Sequence, residues 1–169
     1  SDGVGLEIAK KMAVDQGFNI CIVARNEKKI NSKLEDIKKL APGIETRCVI
    51  VDFGKQSTLE AYERQFADKV KDLDIGLLVL NAGWTEYMTF EELSNAELEQ
   101  TVNINALHVM YSAKVMLKQM TTRYDKTGKK SAIYITSSQL GDWPAVGFLP
   151  YSCSKAFVSN FAAGLNFEL

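Results

Sequence analysis

The chain has 169 residues, 46% hydrophobic and 24% charged, a composition that fits one folded domain and excludes a fibrous or disordered chain. Twenty Lys and Arg against 21 Asp and Glu leave a formal net charge of -1, so no overall basic field can hold nucleic acid or an anionic membrane. No apolar run approaches the ~20 residues that span a bilayer.

Taken in order, the apolar spacing alternates between helical and extended. In VGLEIAKKMAVDQ, Leu6, Ala9, Met12 and Ala13 recur at three and four, a helical stripe, and FNICIVA at 18–24 follows as a short strand. Asn26 is placed to cap a second helix whose buried face is Ile30, Leu34, Ile37 and Leu40, ended by APG at 41–43. ETRCVIVDF reads as a strand, Ser57 with Glu60 as a capping box opening a third helix, and DIGLLVLNAG as a buried strand running into a glycine turn. Ser94 with Glu97 repeats the box ahead of a long helix over 95–122. DKTGKK at 125–130 reads as an exposed loop, SAIYITSS as a strand, and Pro150 stands at the start of a last helix.

Strands alternating with helices of this length imply parallel pairing through right-handed crossovers, hence one α/β domain over 1–169, a doubly wound parallel sheet of Rossmann type with both faces covered. In such sheets ligands bind beyond the carboxyl ends of the strands. Those ends carry Arg25, Asp52, Asn81, Ala82, Gly83 and Ser138. The opening SDGVGLEIAK reads as the second half of a phosphate-binding turn, in which Gly3 and Gly5 let the backbone approach a pyrophosphate. Such a turn follows a strand, and NFEL ends within a helical pattern, so the expectation is a first strand and a C-terminal part outside these residues. That strand lies centrally in the usual order, so the 169 residues alone are expected to fold poorly.

Three cysteines, Cys21, Cys48 and Cys153, are too few and too scattered for a disulfide framework, and no CxxC pair or His cluster joins them to hold a metal. They point to a reducing, intracellular compartment, with Cys21 and Cys48 as core thiols. His108, the one histidine, sits among Leu107, Val109 and Met110 and reads as structural.

YSCSK at 151–155 puts a phenol and an ammonium four apart, on one helix face, thirteen positions after Ser138. Tyr and Lys at this spacing commonly share a solvated face, but no other tyrosine has Lys four residues on. SDGVG, VDF, NAG, the asparagine of VNIN, the SS at 137–138 and YSCSK, in this order, resemble the short-chain dehydrogenase/reductase family over the whole chain. Within it, IETRCVIVDF, IGLLVLNAG and VNINALHVM look most like the very-long-chain 3-oxoacyl-CoA reductase and 17β-hydroxysteroid dehydrogenase type 12 group.

The resemblance implies that Tyr151 is the general acid that protonates a ketone oxygen as hydride arrives from a nicotinamide. A phenol is a poor proton donor at neutrality unless a cation stabilises its anion, and Lys155 would be that cation. By the same resemblance Lys155 also holds the nicotinamide ribose, Ser138 orients the substrate oxygen, and Asn103 relays protons toward the lysine. Asp52 matches the position at the adenine edge, and Asn81, Ala82 and Gly83 the turn beneath the adenine ribose. A NAD site carries an acid about 20 positions beyond its glycine turn, whereas twenty beyond Gly5 stands Arg25, whose planar fork suits a 2′-phosphate; with Asn26 assisting, NADPH is the expected cofactor.

The resemblance further implies a lipid-like ketone as substrate, first a long-chain 3-oxoacyl-CoA, with steroid or 3-ketosphinganine ketones as alternatives. It implies a homodimer through the helices at 95–122 and from 151 onward, and an endoplasmic reticulum location. Trp84 and Trp143 fall near a substrate mouth, and GDWPAVGFLP at 141–150 is apolar with one acid. A competing expectation keeps the fold and discards turnover, leaving a structural subunit of a larger assembly.

Overall fold

The computed structural model describes residues 3–169. The chain packs as two compact units, Ser1–Asp52 and Phe53–Leu169.

The first unit runs α1 (Gly3–Gln16), β1 (Ile20–Ala24), α2 (Glu27–Leu40) and β2 (Thr46–Ile50). Gly17, at φ 66, closes α1 by donating its N–H to the Ala13 carbonyl, a left-handed turn that glycine adopts without strain. β1 and β2 pair in parallel, Ile20 opposite Thr46 and Ala24 opposite Ile50. Leu6, Ala13, Ile37 and Ala41 form the core, with Ile20, Ile22 and Ile44 packed against it. Asn26 caps α2 as expected, its side chain accepting from the Lys29 N–H at 3.0 Å.

Two expectations fail here. Leu40 is 57% exposed, because it is the last residue of α2 and Ala41, the residue after it, takes the buried place. Cys21 and Cys48 are half-buried, not core. Strand side chains alternate, so Cys21 stands on the face opposite Ile20 and Ile22, and in β2 only Val49 is fully buried.

In the second unit a short 3₁₀ turn at Phe53–Lys55 leads to α3 (Leu59–Tyr62), a π-helical turn at Glu63–Ala67 and α4 (Asp68–Val70). The cap of α3 is Thr58, whose Oγ1 accepts from the Ala61 N–H, so the cap expected at Ser57 moves one residue on. Then come β3 (Leu77–Leu80), α5 (Asn95–Val102), a π-helical turn at Asn103–Leu107, α6 (His108–Thr127), β4 (Ala132–Ile135) and α7 (Leu149–Glu168). The Ser94–Glu97 capping box forms as read. α6 continues through Thr127, past the expected end near 122, because Gly128 at φ 67 supplies the left-handed stop. Arg123 then fixes the turn by donating to Asp74 and to the carbonyls of Lys129 and Lys130.

β3 and β4 also pair in parallel, Leu77 opposite Ala132 and Leu80 opposite Ile135. The doubly wound α/β class holds, but the described strands form two separate parallel pairs, and Ala132 and Tyr134 leave one face of β4 exposed. Phe53, Tyr62 and Phe66 meet in the second unit's aromatic core, with Tyr111 edge-on to Tyr62 at 5.5 Å.

Tyr62 is fully buried, and its hydroxyl has no hydrogen-bond partner among the described residues. Unfolding rehydrates that hydroxyl, so Tyr62→Phe removes a cost borne only by the folded state. Urea denaturation of the full-length protein should show the variant more stable by about 1 kcal/mol; an equal loss of stability would mean that the hydroxyl is satisfied.

Candidate active site

α7 presents the two residues singled out in YSCSK. Pro150 sits in its first turn, where the missing N–H is no loss, and the helix carries Tyr151 and Lys155 one turn apart. Tyr151 is half-buried, while Lys155 is only 3% exposed. The Lys155 Nζ lies 5.6 Å from the centre of the Tyr151 ring and donates to the Thr136 carbonyl at 2.9 Å. Burial lowers the Lys155 ammonium below the ordinary lysine range.

Around this pair the strand ends converge. Thr136, just past β4, donates its hydroxyl to the Asn81 side-chain oxygen at 2.8 Å and its N–H to Leu80, so the ends of β3 and β4 are tied together. Gly83 lies so close that a Cβ there would stand 3.9 Å from the Lys155 Nζ and 3.2 Å from the Asn105 Oδ1. Ser138 caps a 3₁₀ turn at Gln139–Gly141, its Oγ accepting from the Leu140 N–H. Asn81, Gly83, Thr136 and Lys155 therefore share one locality, with Ser138 two residues beyond Thr136.

Asn103 does not face this locality. Its amide donates to the Gly54 carbonyl at 3.1 Å. The asparagine that reaches the NAG turn is Asn105, fully buried, accepting from the Trp84 N–H at 3.0 Å and donating to the carbonyls of Trp84 and Thr101. Both lie in the π-helical turn, a widened coil that recurs at functional sites. A sequence signal for Asn105 existed: counting back from Met116 through Ala113, Ser112, Val109 and His108, the buried stripe reaches Asn105 and Thr101 and skips Asn103.

The remaining residues named from sequence are placed as follows. In the first unit Gly3 begins α1 at φ 59, Gly5 is half-buried in its first turn, Arg25 and Asn26 are exposed just past β1, and Asp52 is half-buried after β2. Ser1 and Asp2 of SDGVG lie outside the described residues. Ala82 is half-buried in the second unit. Trp143 is 77% exposed, and the Trp84 backbone is held by Asn105. His108 is buried against Phe53, ring centres 3.8 Å apart, with Nδ1 3.2 Å from the Ser112 hydroxyl. No group of His, Cys, Asp and Glu that could hold a metal is found among the described residues.

Burial first, and the Lys155 charge second, push His108 down to about 3. The unfolded chain therefore binds this proton first, near ~6.5, and the stability that His108 contributes is complete above that value and lost as pH falls toward the folded one. Denaturation melts should lose up to about 1.4 kcal/mol per pH unit below roughly pH 6.5, a slope reduced in His108→Gln, and the ring should give no NMR titration from roughly pH 5 to 8. A ring titrating near its ordinary value would contradict its burial. Separately, Asn105→Ala strands the Trp84 backbone and should destabilise by about 3 kcal/mol, whereas Asn103→Ala should cost about 1 kcal/mol or less; equal losses would deny the distinction between them.

A family model described as short chain dehydrogenase matches residues 1–169. The very-long-chain 3-oxoacyl-CoA reductase of Podospora anserina is 32% identical over 171 residues, covering 100% of this chain and 48% of that protein. The inactive hydroxysteroid dehydrogenase-like protein 1 of Pongo abelii is also 32% identical, over 172 residues, covering 99% of this chain and 48% of that protein. The chain thus spans about half the length of the curated relatives it matches. Among solved structures, an actinorhodin polyketide ketoreductase with NADPH is 26% identical with a TM-score of 0.81, covering 98% of this chain and 60% of that one. The chain belongs to the short-chain dehydrogenase/reductase family.

Proposed function

We propose that the protein is an NADPH-dependent reductase of a lipid-like ketone, with a long-chain 3-oxoacyl-CoA as the leading substrate, and that residues 1–169 are one dinucleotide-binding and catalytic domain. The observation that carries this reading is the buried Lys155 ammonium turned toward the Tyr151 ring one helical turn before it. The name of the Podospora anserina relative supports the substrate. So do the exposed apolar side chains of Trp143, Val146 and Leu149 on the segment between Ser138 and Tyr151.

The donor set fits a reduced nicotinamide dinucleotide. Lys155 carries three N–H donors, of which Thr136 takes one, so the ammonium suits ribose hydroxyls as further acceptors. In the second unit Asn81, Ala82 and Gly83 would line the adenine ribose. In the first unit Gly3 and Gly5 would admit the pyrophosphate, Asp52 would meet the adenine edge, and Arg25 with Asn26 would take the 2′-phosphate, since Arg25 is exposed just where a NAD site would carry an acid. When bound, the nicotinamide supplies the hydride to the carbonyl carbon.

Tyr151 gives its phenol proton to the carbonyl oxygen, completing reduction of the ketone to an alcohol. Lys155 stabilises the phenolate left behind, and Ser138 donates to the same oxygen and orients it. The relay role moves from Asn103 to Asn105, because Asn105 stands against Gly83 and fixes the turn beside Lys155. A homodimer through α5–α6 and α7 and a location at the endoplasmic reticulum complete the proposal; no helix among the described residues is long and apolar enough to cross a membrane.

The second reading, a fold kept without turnover, is favoured by one finding, the equal identity to a relative named inactive. Full-length protein mixed with a long-chain 3-oxoacyl-CoA should oxidise NADPH in preference to NADH. Tyr151→Phe should lower kcat by at least about 10²-fold while still binding NADPH. Arg25→Ala should weaken NADPH about 10-fold or more and leave NADH unchanged. Saturable NADPH binding with no oxidation across acyl, steroid and sphingoid ketones would select the non-catalytic reading.

A further inference from the structure

Gly141 ends the 3₁₀ turn that Ser138 caps, and it touches the backbone of α7. A Cβ at this position would stand 2.8 Å from the Ala156 nitrogen, 2.8 Å from the Lys155 carbonyl carbon and 3.1 Å from the Lys155 oxygen. Gly141 has no positive φ, so its backbone shape does not demand glycine; the missing space does. The opposing atoms are helix backbone, which cannot give way as the tip of a side chain can. On the other side of Ser138, the Ser137 hydroxyl lies 2.5 Å from the Ser159 hydroxyl and donates to the Lys155 carbonyl at 3.2 Å. Between these contacts the turn is stiffened by the Gly141 N–H donating to the Ser138 carbonyl at 3.0 Å.

We propose that Gly141 and the Ser137–Ser159 hydroxyl pair form a spacer that sets the loop bearing Ser138 at its working distance from Tyr151 and Lys155. The contacts fall on Lys155, Ala156 and Ser159, about one turn of α7, so the spacer is referenced to the helix segment that carries the ammonium. These are positioning residues, acting through Ser138. The role rests on the reductase reading above. Any β-carbon at 141 drives the Ser138 loop away from α7 by several tenths of an ångström, and proton transfer tolerates such displacement poorly, a shift of about 1 Å costing on the order of 10²-fold.

The test uses full-length protein with NADPH and a long-chain 3-oxoacyl-CoA, measuring kcat, KM and the NADPH Kd. Gly141→Ala should lower kcat about 10-fold or more while KM and the NADPH Kd stay within about twofold, because binding does not depend on the Ser138 distance as chemistry does. Ser137→Ala and Ser159→Ala should each lower kcat about threefold, and the double variant should be no worse than either alone, as expected for one shared contact. Wild-type kcat in Gly141→Ala overturns the spacer, and so does a kcat loss matched by an equal loss of NADPH binding. If Gly141→Ala does not fold, unchanged kcat in Ser137→Ala overturns it by itself. Wild-type protein that oxidises no NADPH with any ketone overturns the reductase reading and the spacer together, whereas turnover that Gly141→Ala leaves intact overturns only the spacer.

Discussion

The burial of the Lys155 ammonium is the constraint around which the second unit is arranged. Removing a cation from water costs several kcal/mol, and among the described residues Lys155 has no carboxylate partner to offset it. It has a carbonyl, that of Thr136, and an aromatic face, that of Tyr151. Neutral partners leave the ammonium incompletely compensated, which is why its ionised form is disfavoured. A fold selected only for stability would place a leucine or methionine here. Retaining a buried amine on a helix of small neighbours, Ser152 and Ser154 among them, is a cost that makes sense when the cation has work to do.

From that burial the rest of the locality follows. To reach the Thr136 carbonyl, α7 must lie close to the end of β4, and Gly141 removes the Cβ that would hold it off. The loop after β3 must come equally close, so Gly83 stands where a side chain would press on the Asn105 amide. Asn105 then holds both backbone groups of Trp84, doing for an irregular turn what a strand partner does for a strand. The π-helical turn at Asn103–Leu107 offers the local change of pitch that brings this amide onto the buried stripe with Thr101 and Val109. His108, one residue beyond that turn, is buried between Phe53 and Ser112, and the same burial that makes it structural keeps it neutral.

Much of this was legible in the sequence, because periodicity and capping chemistry are local. The α2 stripe of Ile30, Leu34 and Ile37, the Asn26 cap, the Ser94–Glu97 box and the Tyr151–Lys155 pairing each need only a few neighbouring residues to be read. What escaped was set by tertiary contact or by competition between adjacent residues. Thr58 outcompeted Ser57 as a cap, Ala41 replaced Leu40 in the core, and Gly128 rather than the apolar pattern fixed where α6 stops. That Asn105 and not Asn103 reaches the NAG turn escaped for a different reason. A motif places an asparagine in a segment, but which of two asparagines faces inward depends on the helix phase, and here the phase was set by Met116, Ser112 and Val109 further along the same helix. The partial exposure of Cys21 and Cys48 was likewise invisible, since an apolar run reports that a strand is in the sheet but not which of its faces a helix covers.

Sequence identity is a weak guide to turnover in this family, and the comparisons make the point internally. A relative named as a reductase and one named inactive match this chain at the same 32% identity over nearly the same residues. Identity at that level shows the family, and fold does not carry function. On the proposed mechanism the difference would lie at a few atoms, namely a phenol, the cation beside it, a hydroxyl on the facing loop and the groups that hold these in register. In this chain Tyr151, Lys155 and Ser138 are all present, the cation is buried at a cost in stability, and Gly141 and Asn105 fill positions whose geometry matters chiefly because of what stands next to them. A lineage released from catalysis would be free to replace the buried amine, and that change would favour stability. That Lys155 is retained is the physical reason to favour the catalytic reading over the silent one.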